Sequence, residues 1–317
     1  MARPNPFRLI AWYAGHGEAG PKDSPLDRFC HGAAQILVAL RRLAHDPELR
    51  RAAILPTVLS FLVALGVAVL FAWSTWSDER TARGALLQAG GVFILLASLP
   101  PTLLHPLWEK VAVLARASVG LPPGHEEPKR SYVRVVVAES MKGLRQAVIG
   151  SALGVLPVLI LLGLFPESHY LKVVALGVWA VYWITVDAFE IPFELSNAPM
   201  PPRAAWFTRW SYALPDLVRF PGLKLVRKFG KLLHKLSRPW RREIAFTERR
   251  PLEVFGFATA LGTLLAVPVL GLLFRSVAII AATQLASHDP EFRAGEHQPG
   301  STLPAHGGDA RHPSSQS

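Results

Sequence analysis

AAILPTVLSFLVALGVAVLFAWSTW, residues 52–76, runs for 25 residues without a charged side chain. At 1.5 Å per residue a helix of that length reaches about 37 Å, more than the ~30 Å hydrocarbon core of a bilayer. Trp73 and Trp76 stand at one end, where tryptophan favours the boundary between lipid and water. The run reads as a transmembrane helix. It sets the expected class of the chain, an all-α integral membrane protein.

Upstream, Asp46-Pro47 marks where that helix starts. Proline lacks a backbone donor and fits the first helical turn, and the aspartate supplies the N-cap. Before it, CHGAAQILVALRRLAH (30–45) puts Ile36, Leu37, Leu40 and Leu43 on one face, with Arg41 and Arg42 beside it. That is an amphipathic helix. Residues 1–30 are polar and rich in Pro and Gly, and read as a flexible N-terminal segment with a short interfacial turn at Phe7–Tyr13. No short apolar core with a small-residue cleavage site occurs there, so no signal peptide is expected.

Downstream, a second span starts at Ala85. Pro100, Pro101 and Pro106 predict a kink or an end late in its course. Two further runs, Gln146–Phe165 and Leu171–Pro192, are joined by five residues, PESHY. The last run, Phe255–Leu285, is broken at Pro268 and Gly271 and carries Arg275. Its arms of roughly 13–16 residues cover about 20–24 Å, too short to cross. A hairpin that enters and leaves by one face is the expected form, and a single kinked span is the other reading. Broken backbone at such depth must be buried in protein or line a cavity. Residues 31–286 thus form one membrane domain, and 287–317 read as a disordered C-terminal tail.

The net charge is +11, and its distribution gives an orientation. Residues 193–252 hold 13 Lys and Arg and 109–145 hold 7, against 2 in 77–84 and none in 166–170. The positive-inside rule places the N-terminus and both basic loops in the cytoplasm of a cell with this protein in its inner membrane. Within the basic loop 203–250, GLKLVRKFGKLLHKLSRPWRR (222–242) sets Leu225, Val226, Phe229, Leu232, Leu233 and Leu236 at helical spacing. Lys224, Arg227, Lys228, Lys231 and Lys235 occupy the remaining positions. Such a helix suits the plane of a leaflet with anionic headgroups. The continuous apolar face argues against nucleic acid as the partner.

Soluble-enzyme chemistry finds no support. There is no phosphate-cradling Gly-rich loop, no H-E-x-x-H and no paired CxxC. The single cysteine, Cys30, excludes an intrachain disulfide and a zinc cluster. No cofactor, metal or catalytic residue is expected.

Four stretches carry a family resemblance. LRRLAHDPELRRAAILPTVLS (40–60) joins a basic helix, a Pro-x-Leu-Arg turn and a membrane helix with an early proline. HPLWEKV (105–111) leads from a proline into a carboxylate. DAFEIPFE (187–194) sets a carboxylate before Ile-Pro. GFATALGTLLAVPVLGLLFRSVAIIAAT (256–283) has a Gly-rich helix, a Pro-x-x-Gly break and a closing Ala-Thr. Over about Leu40 to Leu285 this order resembles the CysZ sulfate-permease-like family, which shares its domain with the etoposide-induced protein 2.4 of eukaryotes. The resemblance implies two long transmembrane helices plus two helical hairpins partly inserted in the bilayer. It also implies a homo-oligomer and, in bacterial members, sulfate uptake. The chain departs from the family at Ser60, Ser276 and Ala281, where asparagine, proline and glycine are frequent, and in its longer basic loop.

Charges in or beside apolar runs are the candidate functional residues, because they are costly there. Arg50 and Arg51 stand at the mouth of the first span, where guanidinium forks suit sulfate oxygens and where the resemblance also points to anion binding. Arg41, Arg42 and Arg275 are further anion candidates. The other reading of the terminal arginines is anchoring at the interface. Glu109, Asp187 and Glu190 are candidates for ion pairing or coupling, with Asp187 a partner for Arg275. Two functions remain: an oligomeric permease for sulfate or a related oxyanion, and a non-transporting organising protein that grips anionic lipids or a protein partner through its basic loop.

Overall fold

A computed structural model describes residues 5–17, 19–74, 104–124, 132–150, 152–153, 169–209, 223–266 and 274–296. Every regular element among them is helical. In chain order these are α1 (Pro6–Gly15), α2 (Pro25–His45), α3 (Pro47–Ser74), α4 (His105–Ser118), α5 (Tyr132–Gly150), α6 (His169–Glu194), α7 (Leu223–Leu236), α8 (Arg241–Arg249), α9 (Pro251–Ala266), α10 (Phe274–Ser287) and α11 (Pro290–Glu296).

Helix starts follow the local chemistry. Proline opens α1, α2, α3, α9 and α11, where its missing donor costs nothing. Asp46 caps α3 as expected, its Oδ1 accepting from the backbone of Glu48 at 2.9 Å and Leu49 at 3.0 Å. Pro106 lies in the first turn of α4, and Pro100 and Pro101 lie outside the described residues.

Counting described side chains only, no helix is long and apolar enough to cross a membrane. The backbone of α3 is helical for 28 residues, about 42 Å at 1.5 Å per residue.

The centre of the fold is α10. From Ser276 to Ser287 no residue is more than 3% exposed. α2, α3, α4, α6 and α9 surround it, and its apolar side chains join Ile36, Trp108, Phe189 and Phe257 in one core. A helix enclosed all round has no polar face to keep.

The form of the last apolar run follows from one histidine. The His31 ring, on α2, lies 3.2 Å from Glu253 Oε2 at the start of α9. It also meets the ring of His288, just past the end of α10, edge-on with centroids 5.0 Å apart. The outer ends of both arms therefore meet at one level of α2. The arms are antiparallel, as a hairpin requires and a kinked span does not. Pro268 and Gly271, expected at its turn, lie outside the described residues.

α2 and α9 touch backbone to backbone. A Cβ on Gly32 would stand 1.8 Å from the Glu253 carbonyl oxygen, and one on Gly256 would stand 2.0 Å from that of Phe29. Only glycine at both positions permits this approach.

Three expectations need correction. The segment 1–30 is not a loose tail. Asn5 caps α1 by accepting from Phe7 N at 2.9 Å, and Ser24 caps α2 by accepting from Asp27 N at 3.0 Å. Tyr13 is buried against α2, its hydroxyl donating to Asp27 at 3.2 Å. Two caps and one aromatic anchor outweigh a composition rich in Pro and Gly. Order also extends past 287, because Phe292 of α11 is fully buried against Phe193 and beside the Arg116 guanidinium. Finally, the apolar face of α7 is in part covered by protein. Leu233 is buried, and Phe229 and Leu236 pack with it on an aromatic cluster that includes Trp183, Phe207 and Trp240, while Leu232 is 50% exposed.

Candidate functional site

The charged residues expected at the end of the fourth apolar run converge with others that pattern reading passed over. Lys142 of α5 is the hub. Its Nζ lies 2.7 Å from Glu139 Oε1 and 3.2 Å from Glu190 Oε1, and it also pairs with Glu194. His105, in the first turn of α4, faces two of these carboxylates: Nδ1 is 3.9 Å from Glu139 and Nε2 is 3.4 Å from Glu194. Asp187, one turn before Glu190 on α6, pairs with Arg275 at the start of α10. α4, α5, α6 and α10 thus each supply part of one cluster.

Four carboxyl groups (Glu139, Asp187, Glu190 and Glu194) face Lys142, Arg275 and the His105 ring. Burial works against the Lys142 ammonium, but Glu190, Glu194 and Glu139 outweigh it and hold the lysine protonated. Arg275 is taken up by Asp187, which suits it to ion pairing. Among the described residues no three His, Cys, Asp or Glu side chains converge as a metal-binding group. Glu109 lies one turn beyond His105 on α4, half-buried.

The remaining arginines do not gather at one place. Arg42 donates to the Ser118 carbonyl at 2.9 Å and to its hydroxyl at 2.8 Å, fastening the end of α4 to α2. Arg50 donates to the Ala44 carbonyl at 3.1 Å, satisfying the C-terminal turn of α2. Arg41 is exposed and lines an open groove with His16 and His45. Arg51 lines a different cavity of about 340 Å³ between α3 and α4, with Lys110 opposite, Glu48 at the rim and Leu55, Leu107 and Leu114 forming its apolar wall. Arg41 and Arg42 likewise stand together, both lining the groove of about 700 Å³ beside His16 and His45, whereas Arg51 is paired with Lys110. On α7, Arg227, Lys228, Lys231 and Lys235 are exposed, while the side chain of Lys224 lies outside the description.

Sequence reading also missed a second buried polar network. His31 is fully buried between Glu253 and Gln35, whose Nε2 lies 3.0 Å from the His31 Nε2. Arg250 reaches Glu253 at 3.0 Å and the His288 carbonyl at 2.7 Å. Burial pushes the Glu253 carboxyl up, yet the His31 hydrogen bond and the Arg250 charge outweigh it and hold the group below the ordinary range. A further acid, Glu243 of α8, is 2% exposed, and burial pushes it up to about 8.

Comparison with protein-family models gives no match, and a search among curated proteins finds no significant relative.

Proposed function

We propose that this chain is a multi-pass inner-membrane protein that takes up sulfate or a related oxyanion as a homo-oligomer. The N-terminus and basic loops face the cytoplasm, and the α3–α4 cavity is the anion's binding point. The observation that carries the membrane reading is the surface of α3. Ile54, Leu55, Val58, Leu62, Val63, Leu65, Val69, Leu70 and Trp73 are 41–78% exposed. They occupy about half the circumference of the helix at 3.6 residues per turn. A patch of this extent is rare on a monomer in water, and lipid would remove it at no cost in polar contacts.

Arg51 and Lys110 support the oxyanion reading. Two cations and one carboxylate, Glu48, line the cavity with apolar side chains, and the cations would hold a bound anion by charge-assisted hydrogen bonds. The test is uptake of labelled sulfate into proteoliposomes. Flux above empty vesicles is expected, and Arg51→Ala with Lys110→Ala should lower it at least tenfold, equivalent to about 1.4 kcal/mol. Absence of flux from folded protein would sink the transport reading.

That outcome would leave the non-transporting, lipid-organising role. It is supported by a specific observation. Arg42, Arg50 and Arg275 are each bonded to protein groups, so they offer an anion little attraction.

A further inference from the structure

Five apolar side chains of α5 stand in the open. Val133 is 66% exposed, Val137 56%, Met141 46%, Leu144 57% and Val148 43%. Their spacing keeps them within about 80° of arc and about 22 Å of length on an α-helix. The opposite side of α5 is occupied: Glu139 and Lys142 enter the charge cluster, and Ile149 enters the aromatic cluster. The stripe therefore has no place in the core of its own chain. It also starts well before the apolar run at Gln146, inside a segment whose charges predict a loop in water.

α7 is its neighbour and its complement. α7 packs against α5 and the aromatic cluster through Phe229, Leu233 and Leu236, which leaves Lys228, Lys231 and Lys235 outward and exposed. One edge of the α5 stripe carries Arg134 and Arg145, set about 20–40° beyond it by helical geometry. On α6, Val174 and Val178 continue the exposed apolar surface at 60% and 66%, next to Trp179 stacked on Tyr182. An apolar stripe edged by cations and aromatics matches a lipid interface with anionic headgroups.

We propose that α5, rather than α7, is the element that enters the lipid interface, and that the outward lysines of α7 with Arg134 and Arg145 hold it against anionic headgroups. This rests on the membrane reading above. α7 then acts chiefly by charge, with Leu232 as an exposed apolar side chain, and α5 by burial of its stripe.

Spin labels test this. Cys30 is fully buried, so Val137→Cys, Leu144→Cys, Lys228→Cys and, on α3, Leu62→Cys can each be labelled selectively. The protein is reconstituted in phosphatidylcholine vesicles with and without phosphatidylglycerol. Collision of each label with oxygen, which concentrates in lipid, is compared with collision with a water-soluble nickel chelate. With phosphatidylglycerol, labels at 137 and 144 should show a several-fold higher oxygen-to-nickel ratio than the label at 228. The ratio should fall when phosphatidylglycerol is omitted, or when Lys228→Glu, Lys231→Glu and Lys235→Glu are combined. Nickel preference at 137 and 144 with oxygen preference at 62 would overturn this inference while leaving the membrane reading intact. Immobile labels reached by neither reagent would overturn it in favour of a second copy of the chain. A ratio unaffected by lipid charge would overturn the role of α7. Nickel preference at 62 would remove the membrane reading itself, and this inference with it.

Discussion

α10 and α3 touch where Thr57 meets Ser276 at 3.0 Å, yet their surfaces have opposite surroundings. α10 carries Ser276, Thr283, Gln284 and Ser287 and is enclosed on all sides. α3 carries six leucines, four valines and two phenylalanines among its 28 residues, and many of these face outward. Hydrophobicity alone would bury α3 and expose α10. Size orders them correctly. Alanine and serine let neighbouring backbones approach, and large side chains are left for the periphery. That ordering is the rule where the surroundings are as apolar as the core. The Gly32–Gly256 crossing is its limiting case.

The comparison can be broken at several strengths. Gly256→Ala should act most severely, because its new methyl meets a carbonyl oxygen rather than a movable side chain. A loss of more than about 3 kcal/mol is expected, read as a collapse of the folded peak and of the thermal transition in detergent. A transition within a few degrees of wild type would show that α2 and α9 separate freely.

The dryness that crowds α10 also acts on charge at Glu243. Its folded-state value, about 8, lies above the ordinary 4.5, so the folded protein keeps a proton that the unfolded chain releases. The resulting stability is complete below about 4.5 and is lost as pH rises through about 8. Across pH 5 to 8 wild type should lose stability on the order of a few kcal/mol, while Glu243→Gln should lack that slope. Parallel pH profiles for the two proteins, measured by thermal unfolding, would refute the assignment.

Ala281→Leu should cost about 1–3 kcal/mol by overpacking, because Ala281 is fully enclosed. Leu62→Ala, on the outer side of α3 and 53% exposed, should cost less than about 0.5 kcal/mol. Equal effects at the two sites would erase the distinction between the helices.

The features legible in the sequence were those set by neighbours along the chain. Asp46 caps α3, Pro47 opens it, and the length of the arms around Pro268 pointed to a hairpin. Arg275 was legible in part, because an arginine in an apolar run needs water or a partner and Asp187 was one candidate, alongside an anion or a cavity. Features set by distant segments were not. The apolar face of α7 looked free because the surface it covers is assembled from Ile149, Trp183 and Trp240. Lys142 and His105 escaped notice because they flank the apolar runs rather than interrupt them. Gly32 and Gly256 read as ordinary helix glycines until their backbones were seen in contact. The signal that was present, one glycine in the amphipathic pattern of α2 and one in the distant apolar run of α9, identifies neither as the other's mate.

Cys30 gives the N-terminal helix a clock. The thiol lies under α1, 3.7 Å from the Pro6 carbonyl and packed with Tyr13 and Ala34. A reagent reaches it only during the intervals when α1 lifts away. Its rate of modification therefore counts those openings, and the ratio of that rate to the rate at an unprotected thiol measures how firmly the first ten-residue helix is seated.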